Sequence, residues 1–537
     1  MQRADIVAGI SIAGLLLPEA VAYSGIAGLP PQHALVAAIA GCLAYALIGR
    51  SRFAIVSPTS SSAAILAASL GALAGPPELR ILLATVTVGM VGLMFFAAGV
   101  ARLGGLTGFV SRPVLRGFAF GLAITIILKQ LPLLVGIDLH EADIFRLTLG
   151  LVAGIAQWNP VTLVVGMTAL AILLALRRFP MLPGGLVVLA GGVALSMLLD
   201  LPSHGVAVVG RINVWPSLPH LAPIPWRTLS HLAELALPLV LILFAESWGT
   251  MRALALRHGD TLNPNRELSA LGVANLASAL VQGMPVGAGF SAGSASEAAG
   301  AASRAAGVFA AIGLAALMLL AAPLVAHLPQ AVLAAVVMAA LGHALDPAPL
   351  IRLWRLGKDQ YVALAAAVGV LALGILNGML FAILLSVAAL IRKMAAPDFV
   401  RLGRLGDSHD FVDLARHPDA VEIRGVAIWR PMEPLFFANA ERVLALIADR
   451  QAAEPEVKTV VVSLEQTFDL DSTALDALIE FDARLKMRGI MLLLARARDP
   501  VRDVLAAGGA GDLVARSSYS VEDSIARLAA KSLPGQD

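Results

Sequence analysis

Apolar stretches of about 17–25 residues recur between Ile6 and Met394, and each is long enough to cross a hydrocarbon core of roughly 30 Å. Of the 537 residues, 58% are hydrophobic and only 14% are charged, whereas a soluble chain carries roughly 25% charged residues. The first stretch does not read as a cleaved signal peptide, because Pro18 and Glu19 interrupt it and further spans follow. The pattern predicts an α-helical polytopic membrane protein.

The apolar pattern predicts about fourteen spans, which puts both termini on one side, and a helix over 145–157 associated with the fifth span. Seventeen Lys and Arg residues of this region fall on the side of the termini and five on the other. The positive-inside rule then predicts cytoplasmic termini in the cell (inner) membrane. The predicted spans are 6–22, 33–48, 54–70, 80–101, 113–132, 160–177, 183–200, 233–251, 268–281, 287–301, 304–326, 329–345, 359–376 and 378–394.

The composition changes after Pro397. Up to that residue twenty-two Lys and Arg stand against fourteen Asp and Glu, and from Asp398 onward the numbers are seventeen and twenty-three. Short apolar runs alternate with charged helices in this second part, which is typical of a small α/β domain. We therefore expect a transmembrane domain over 1–397, a linker over 398–418 and a cytoplasmic domain over 419–532. Cys42 is the single cysteine, so an intrachain disulfide is excluded.

Fourteen spans divide into seven plus seven, and an odd-numbered half places the two halves in opposite orientations. Spans three and ten, within 55–69 and 284–303, each contain a proline (Pro58, Pro285) among many Ser, Thr, Gly and Ala residues. Proline favours extended backbone before it, so a helix would begin near Thr59 and near Gly289. Two such helix starts would offer N–H groups and partial positive charge to an anion without any lysine. The alternative is that the small residues only permit close helix packing.

Three carboxylates lie within predicted spans: Glu19, Glu246 and Glu297. Insertion of an ionised carboxylate at the centre of a membrane costs at least about 2.5–3.5 kcal/mol, so such residues usually have a functional or structural role. Glu19 and Glu246 lie in corresponding spans, one and eight, and a carboxylate beside a bound anion would take up a proton, which couples the two. Thr250, one turn after Glu246, is a candidate hydroxyl neighbour. The alternative, a neutral carboxylate that is hydrogen-bonded for structure alone, is favoured for Glu297.

Five segments of the chain resemble the sulfate permease (SulP) family of anion transporters. They read "DIVAGISIAGLLLPEAVAYSGIAGLPP", "GRSRFAIVSPTSSSAAI", "SRPVLRGFAFGLAI", "FAES" and "QGMPVGAGFSAGSASEAAGAASRAAG". The later "LDSTALDAL" resembles a STAS domain. The resemblance implies a seven-plus-seven inverted repeat with core and gate subdomains, a homodimer, and an anion site between the helix starts of spans three and ten.

Carried over onto this sequence, the resemblance implies a substrate site built from spans one, three, eight and ten. Proton coupling would fall to Glu246 and Glu19. Many family members carry a basic residue just after the serine of span ten, where this chain has Ala292. More of the anion's stabilisation then has to come from helix ends and a neutralised carboxylate. The implied substrate-binding residues are Glu19, Ala20, Tyr23, Pro58, Thr59, Ser60, Glu246, Thr250, Ala288, Gly289, Phe290 and Ser291.

The motif Asp471-Ser472-Thr473 stands at the start of a predicted helix in the C-terminal domain. In soluble relatives of the STAS domain this serine can be phosphorylated, so Ser472 is a candidate regulatory residue. The favoured interpretation is a helix cap without regulation.

The expected function is secondary active uptake of a small oxyanion, sulfate first, by proton-coupled symport. Alternatives are bicarbonate or dicarboxylate transport with proton or sodium coupling, a passive anion channel, and an anion sensor. ATP-driven pumping is disfavoured, because no P-loop pattern appears. The ten scattered histidines form no convincing metal cluster or nucleophile triad. We therefore expect no enzyme, no metal, no cofactor and no nucleic-acid partner.

Overall fold

A computed structural model of the chain describes residues 3–71, 76–108, 111–139, 143–176, 178, 184–210, 224–357 and 359–532. Contacts divide the chain into two units, Met1–Ser386 and Val387–Asp537. The division falls inside the last apolar helix. Each unit is described by itself below.

The secondary-structure elements described in the first unit are all helices apart from two strands of three residues. Prolines open several of the helices, where the missing N–H costs no hydrogen bond. The strands are β1 (Val56–Pro58) and β2 (Val286–Ala288). The helices are α1 (Arg3–Ala27), α2 (Pro31–Ile48), α3 (Ser60–Gly71), α4 (Pro77–Val100), α5 (Arg112–Val135), α6 (Ile144–Ala153), α7 (Pro160–Leu176), α8 (Gly184–Leu199), α9 (Trp226–His258), α10 (Pro264–Leu280), α11 (Phe290–Ala298), α12 (Ala305–Val325), α13 (Gln330–Leu341), α14 (Ala348–Leu356), α15 (Gln360–Leu373) and α16 (Ile375–Ala395).

Each predicted span overlaps an observed helix or strand–helix element. Among the described residues, α1, α2, α4, α5 and α9 are long and apolar enough to cross a membrane by length and composition. Many large apolar side chains of this unit point outward; Leu47 is 77% exposed and Leu198 is 82% exposed. Such a surface suits lipid rather than water. The predicted polytopic membrane fold is confirmed.

Helix packing in the first unit repeats itself with the two halves exchanged. Helix α1 packs on α12 as α9 packs on α4, and α2 packs on α12 as α10 packs on α4. Helix α7 packs on α13 as α15 packs on α5. The strands β1 and β2, one from each half, pair antiparallel. This exchange of partners is what a seven-plus-seven inverted repeat requires.

Two clusters of buried apolar side chains correspond to the core and gate subdomains that the resemblance implies. The larger cluster draws mostly on α1–α4 and α9–α12. A separate cluster draws on α5, α7, α8 and α13. Burial within each cluster supplies the packing that keeps its helices together.

The second unit is an α/β domain, as predicted. Its strands are β3 (Phe399–Leu405), β4 (Phe411–Asp413), β5 (Ala420–Val421), β6 (Val426–Pro431), β7 (Thr459–Ser463) and β8 (Met491–Ala495). Its further helices are α17 (Ala440–Ala452), α18 (Ser472–Met487), α19 (Asp499–Ala507), α20 (Gly511–Ala515) and α21 (Val521–Ser532). The strand order is β4-β3-β6-β7-β8, in which β6, β7 and β8 are parallel and β3 is antiparallel to β6.

The stretch 398–418, which we expected to be a linker, contains β3 and β4. Strand β3 pairs with β6 from Phe399 to Leu402, and Leu402 is buried in the apolar cluster on one face of the sheet. The sequence shows no strand signal as strong as that of β7, because Arg and Gly interrupt the apolar residues of β3. The domain boundaries themselves stay a prediction, but this stretch contributes to the sheet.

Candidate functional site

The site is built around the short sheet of β1 and β2. Val56 pairs with Ala288, Ser57 with Gly287 and Pro58 with Val286. Helix α3 begins two residues after β1, and α11 begins two residues after β2. Thr59 and Gly289, which precede these helices, lie together: a Cβ on Gly289 would be 3.3 Å from Thr59 Cγ2. The two helix starts are therefore adjacent, as the sequence predicted.

Hydroxyl groups hold the first turn of α3. The Thr59 N–H donates to Ser62 Oγ over 3.0 Å, and the Ser62 N–H donates to Thr59 Oγ1 over 3.2 Å. This reciprocal cap satisfies two N–H groups that the helix itself leaves unpaired. Ser62 Oγ also donates to the Pro285 carbonyl over 3.0 Å, which ties α3 to the segment before β2.

Glu246 of α9 reaches the start of α3. The Ser61 hydroxyl donates to Glu246 Oε2, and Thr59 Oγ1 donates to the same oxygen over 3.4 Å. Glu19 of α1 occupies the matching position at α11, where Ser291 Oγ donates to Glu19 Oε1 over 3.1 Å. Each carboxyl group thus contacts the helix start that belongs to the opposite half of the repeat.

Buried polar groups satisfy the irregular backbone, which is tolerated at membrane depth only when protein pairs it. Asn275 bonds both main-chain groups of Val286: it accepts from the N–H over 3.0 Å and donates to the carbonyl over 2.9 Å. Ser247 Oγ accepts from the Ala288 N–H over 2.9 Å. In the first half, Cys42 Sγ donates to the Val56 carbonyl over 3.4 Å. Gly41 lies so close that a Cβ there would be 2.6 Å from that carbonyl oxygen.

A cavity of about 400 Å³ adjoins the two helix starts, within the usual size range of small-ligand sites. The two helix starts and both glutamates supply its polar groups, and residues of α7, α8 and α13 supply apolar lining. Its described lining contains no Lys, Arg or His. The lining residues are Leu15, Pro18, Glu19, Tyr23, Ser57, Pro58, Thr59, Ser60, Leu173, Leu176, Gly184, Gly185, Glu246, Gly289, Phe290, Ser291, Ala292, Val336, Ala339, Ala340 and Leu341.

Nine of the twelve residues predicted for the site line this cavity: Glu19, Tyr23, Pro58, Thr59, Ser60, Glu246, Gly289, Phe290 and Ser291. Ala20, Ala288 and Thr250 lie outside its lining. Ala288 is buried in β2, where it pairs with Val56. Thr250 is buried against α11, since a Cβ on Gly293 would be 3.1 Å from Thr250 Cγ2. The hydroxyl partners found for Glu246 are Ser61 and Thr59, from the opposite half.

The two prolines used to align the halves are not equivalent. Pro58 is the last residue of β1, whereas Pro285 precedes β2. The residue that corresponds to Pro58 at the end of its strand is Ala288. The common element is therefore a strand followed by a helix, and proline stands at different points of it in each half.

Glu297 and Phe53 lie away from the cavity. Glu297 bonds His258 over 2.8 Å and Arg257 over 3.2 Å, so its charge is paired with the end of α9. The Phe53 ring lies 4.6 Å from the His258 ring. These contacts fit the structural role favoured for Glu297, but not the neutral state expected with it, because Arg257 pairs with a charged carboxylate.

The sequence reasoning missed four polar residues that hold the site: Ser61, Ser62, Ser247 and Asn275. For Ser61 and Ser62, the run of hydroxyl residues over 60–62 is the only feature of the sequence that indicates a polar site. It also missed the buried carboxylate of Glu267, because α10 begins at Pro264 rather than at residue 268. Tyr45 donates to Glu267 over 2.6 Å and the Arg50 N–H donates over 3.0 Å, so this group joins α10 to the end of α2.

In the second unit, Asp471 rather than Ser472 caps α18. Asp471 Oδ1 accepts from the Ala474 N–H over 2.9 Å, and Asp471 Oδ2 accepts from the Phe437 N–H over 2.7 Å. Ser472 is the exposed first residue of the helix. Its modification stays a prediction.

Comparison with protein families matches residues 3–367 to the sulfate permease family and residues 417–526 to the STAS domain. A probable sulfate transporter of Mycobacterium tuberculosis (strain ATCC 25618 / H37Rv) is 33% identical over 518 residues, which cover 95% of this chain and 92% of that protein. The chloroplastic sulfate transporter 4.1 of Arabidopsis thaliana is 28% identical over 547 residues, covering 97% of this chain and 78% of that protein.

Solved structures share the fold. The murine Solute Carrier 26 family member A9 anion transporter, in the inward-facing state, matches with a TM-score of 0.90 at 18% identity, covering 98% of this chain and 91% of that chain. The transmembrane domain of the cyanobacterial bicarbonate transporter BicA matches with a TM-score of 0.64 at 22% identity, covering 71% of this chain and 97% of that chain. The chain is a member of the sulfate permease family of membrane transporters, with a C-terminal STAS domain.

Proposed function

We propose that the protein is a secondary active transporter that takes up a small oxyanion, with sulfate as the first substrate, together with protons. The observation that carries the proposal is the crossed contact of Glu246 with the start of α3 and of Glu19 with the start of α11. Both carboxyl groups lie in the wall of one cavity with the helix starts that would bind the anion. Relatives named sulfate transporters support sulfate as the substrate.

The charge of the cavity is the physical reason for coupling. Two carboxylates and a bound anion would place like charges within a few ångströms, and each pair at 4 Å costs about 4 kcal/mol at an effective dielectric constant near 20. The described lining offers no cationic side chain to offset this. Protons on Glu246 and Glu19 remove the repulsion, and they also weaken the bonds that hold the Ser61 and Ser291 hydroxyls, which can then donate to the anion. Anion binding and proton uptake then favour each other.

The proposed setting follows from the charge bias of the sequence. The chain lies in the cell (inner) membrane with both termini and the STAS domain in the cytoplasm. It functions as a homodimer, as the family resemblance implies. Substrates enter the cavity between the half-helices and the apolar lining of α7, α8 and α13.

The test is uptake of labelled sulfate, bicarbonate and fumarate into proteoliposomes, with and without an inward proton gradient. We expect the gradient to drive sulfate accumulation in the wild type. Glu246→Gln should abolish that drive, since it fixes the neutral form. Glu297→Gln is the matched control, because Glu297 lies in the same unit but is paired outside the cavity.

Accumulation of bicarbonate or fumarate instead would reassign the substrate while keeping the coupling. If all three anions merely equilibrate in wild type and variant alike, coupled transport is wrong and a passive channel remains. Binding of an anion without any flux would make the protein a sensor.

A further inference from the structure

Helix α14 is too short to span a membrane and has little to pack against. Its nine residues extend about 14 Å at 1.5 Å per residue. Within it only Leu353 is buried, and the helix contacts α5 and α15. Most of its surface therefore faces outward from the unit.

The side chains of α14 fall on three faces at 100° per residue. Leu353, flanked by the half-buried Pro349 and Leu350, forms the packed face. Ile351 and Trp354 form an apolar face beside it and are 48% and 55% exposed. Exposed Arg352 and Arg355 lie on the remaining side, together with Ala348 and with Leu356, which is 59% exposed at the end of the helix. An apolar face next to a cationic one is typical of a helix that lies in a membrane surface.

Aromatic residues support this position. The exposed ring of Tyr361, at the start of α15, lies 5.9 Å from the Trp354 ring. Trp and Tyr are enriched where hydrocarbon meets headgroups, because one end of each ring system is apolar and the other is polar. Trp354 and Tyr361 therefore lie at the same depth in the membrane, one on α14 and the other on α15.

Further cations lie at the same end of the unit. Helices α5 and α15 run parallel, since Gly117 packs on Ala363 and Gly121 packs on Ala367. The start of α5, with exposed Arg112 and Arg116, is therefore at the end where α14 and the start of α15 lie. The ion pairs found between described residues include neither these two arginines nor Arg352 and Arg355.

We propose that α14, together with the start of α5, binds the headgroups of anionic phospholipids in the leaflet that faces the cytoplasm. The apolar face enters the acyl boundary and the four arginines meet the phosphates. Each basic residue close to such a surface contributes about fivefold in affinity. The inference rests on the proposed orientation, in which this end of the unit is cytoplasmic. Lipid binding at α14 anchors α5 and α15 to the bilayer surface.

The test measures quenching of Trp354 in the full-length protein in nanodiscs of phosphatidylcholine. The contribution of Trp354 is the tryptophan fluorescence of the wild type minus that of W354F. Brominated phosphatidylglycerol should quench it at a lower mole fraction than brominated phosphatidylcholine. The double variant R352Q/R355Q should weaken the apparent affinity for phosphatidylglycerol by about 25-fold. The matched control, R424Q/R442Q, removes two exposed arginines of the second unit and should leave the preference intact.

Equal quenching by both lipids, or an unchanged preference in R352Q/R355Q, would overturn the proposal. So would the absence of quenching by either lipid, since Trp354 would then not face the bilayer. Inorganic phosphate should not displace phosphatidylglycerol; displacement would show a site for free phosphate instead. Because no transport is measured, failure here is distinguishable from failure of the proposed uptake.

Discussion

Ser61 and Ser291 are each the second residue of a half-helix, and each donates its hydroxyl to a glutamate from the opposite half of the repeat. Glu246 and Glu19 accept these bonds. The two carboxyl groups therefore lie at the helix starts, where we propose that the substrate anion binds. The protein holds its own anionic groups where it is proposed to bind a foreign one.

Removal of the Ser61 hydroxyl should change the pH dependence of uptake. A hydrogen bond to a charged group contributes about 1.5–3 kcal/mol, so ionised Glu246 is less stable in Ser61→Ala and holds its proton to higher pH. We expect the pH of half-maximal uptake to rise by about 1–2 units. Proteoliposome uptake between pH 5 and 9 measures it. Ser60→Ala, at the neighbouring cavity position, is the control and should leave the midpoint in place.

Asn275 and Cys42 serve corresponding strands but should differ in importance. Asn275→Ala leaves the Val286 N–H and carbonyl unpaired in the protein interior, at about 1–3 kcal/mol for each group. Cys42→Ala removes only a weak S–H donor. We expect a large fall in melting temperature in detergent and weaker sulfate binding for Asn275→Ala alone. Equal effects of the two variants would contradict the role given to Asn275.

Close approach of α2 to β1 requires Gly41. In Gly41→Ala the new Cβ would be 2.6 Å from the Val56 carbonyl oxygen, so β1 must shift. Overpacking of this kind costs about 1–3 kcal/mol. Thermal unfolding of the purified protein should show the loss, together with reduced uptake. Gly191→Ala in α8, where a Cβ meets nothing within 4 Å, should be neutral or slightly stabilising.

Asp482 gives the second unit a pH-dependent contribution to stability. Burial opposes its ionisation, but hydrogen bonds from Arg516 at 2.7 and 2.8 Å, and the contact with Lys486, outweigh burial and lower the pKa of Asp482 below its ordinary value of 3.8. The stabilisation is fully present above that ordinary value. It is lost as pH falls through the lowered one.

Asp482→Asn should therefore destabilise the STAS domain at pH 7, by about 3 kcal/mol, because it leaves the Arg516 charge without its partner. The difference in free energy of unfolding between variant and wild type should begin to narrow as the pH falls below 3.8 and should close only below the lowered pKa of Asp482. The purified protein is unfolded at increasing urea concentrations, and limited proteolysis reports the unfolding of its second unit. The experiment, repeated from pH 7 to pH 3, measures the destabilisation and its dependence on pH. A difference that stays constant down to pH 3 would rule out the titration.

The proposed orientation predicts which engineered cysteines react from outside the cell. Ser203 lies between α8 and α9 and is exposed, as is Arg252 near the other end of α9. In intact cells a membrane-impermeant maleimide should label Ser203→Cys and spare Arg252→Cys. The native Cys42 is 2% exposed and should give no background. The reverse pattern would place both termini outside.

The sequence predicted the half-helices because their chemistry is local: hydroxyl and glycine residues mark a helix start wherever it lies. It could not predict the partner of Glu246, since Ser61 is 185 residues away and only the folded repeat brings them together. Spacing along α9 predicts Thr250 as a hydroxyl partner of Glu246, but the rotation of that helix turns Thr250 toward Gly293. The sequence did not predict helix α14, because its nine residues contain too few apolar side chains to resemble a membrane span.

The pairing of Val56 with Ala288 has a consequence for synthesis of the protein. The partner of β1 lies more than two hundred residues downstream. Translation at about 5–20 residues per second therefore leaves β1 without its partner strand for roughly 12 to 46 seconds. During that time its main-chain polar groups lack their final partners inside the bilayer. The first half of the repeat is therefore synthesised in full before the strand that completes its third span exists.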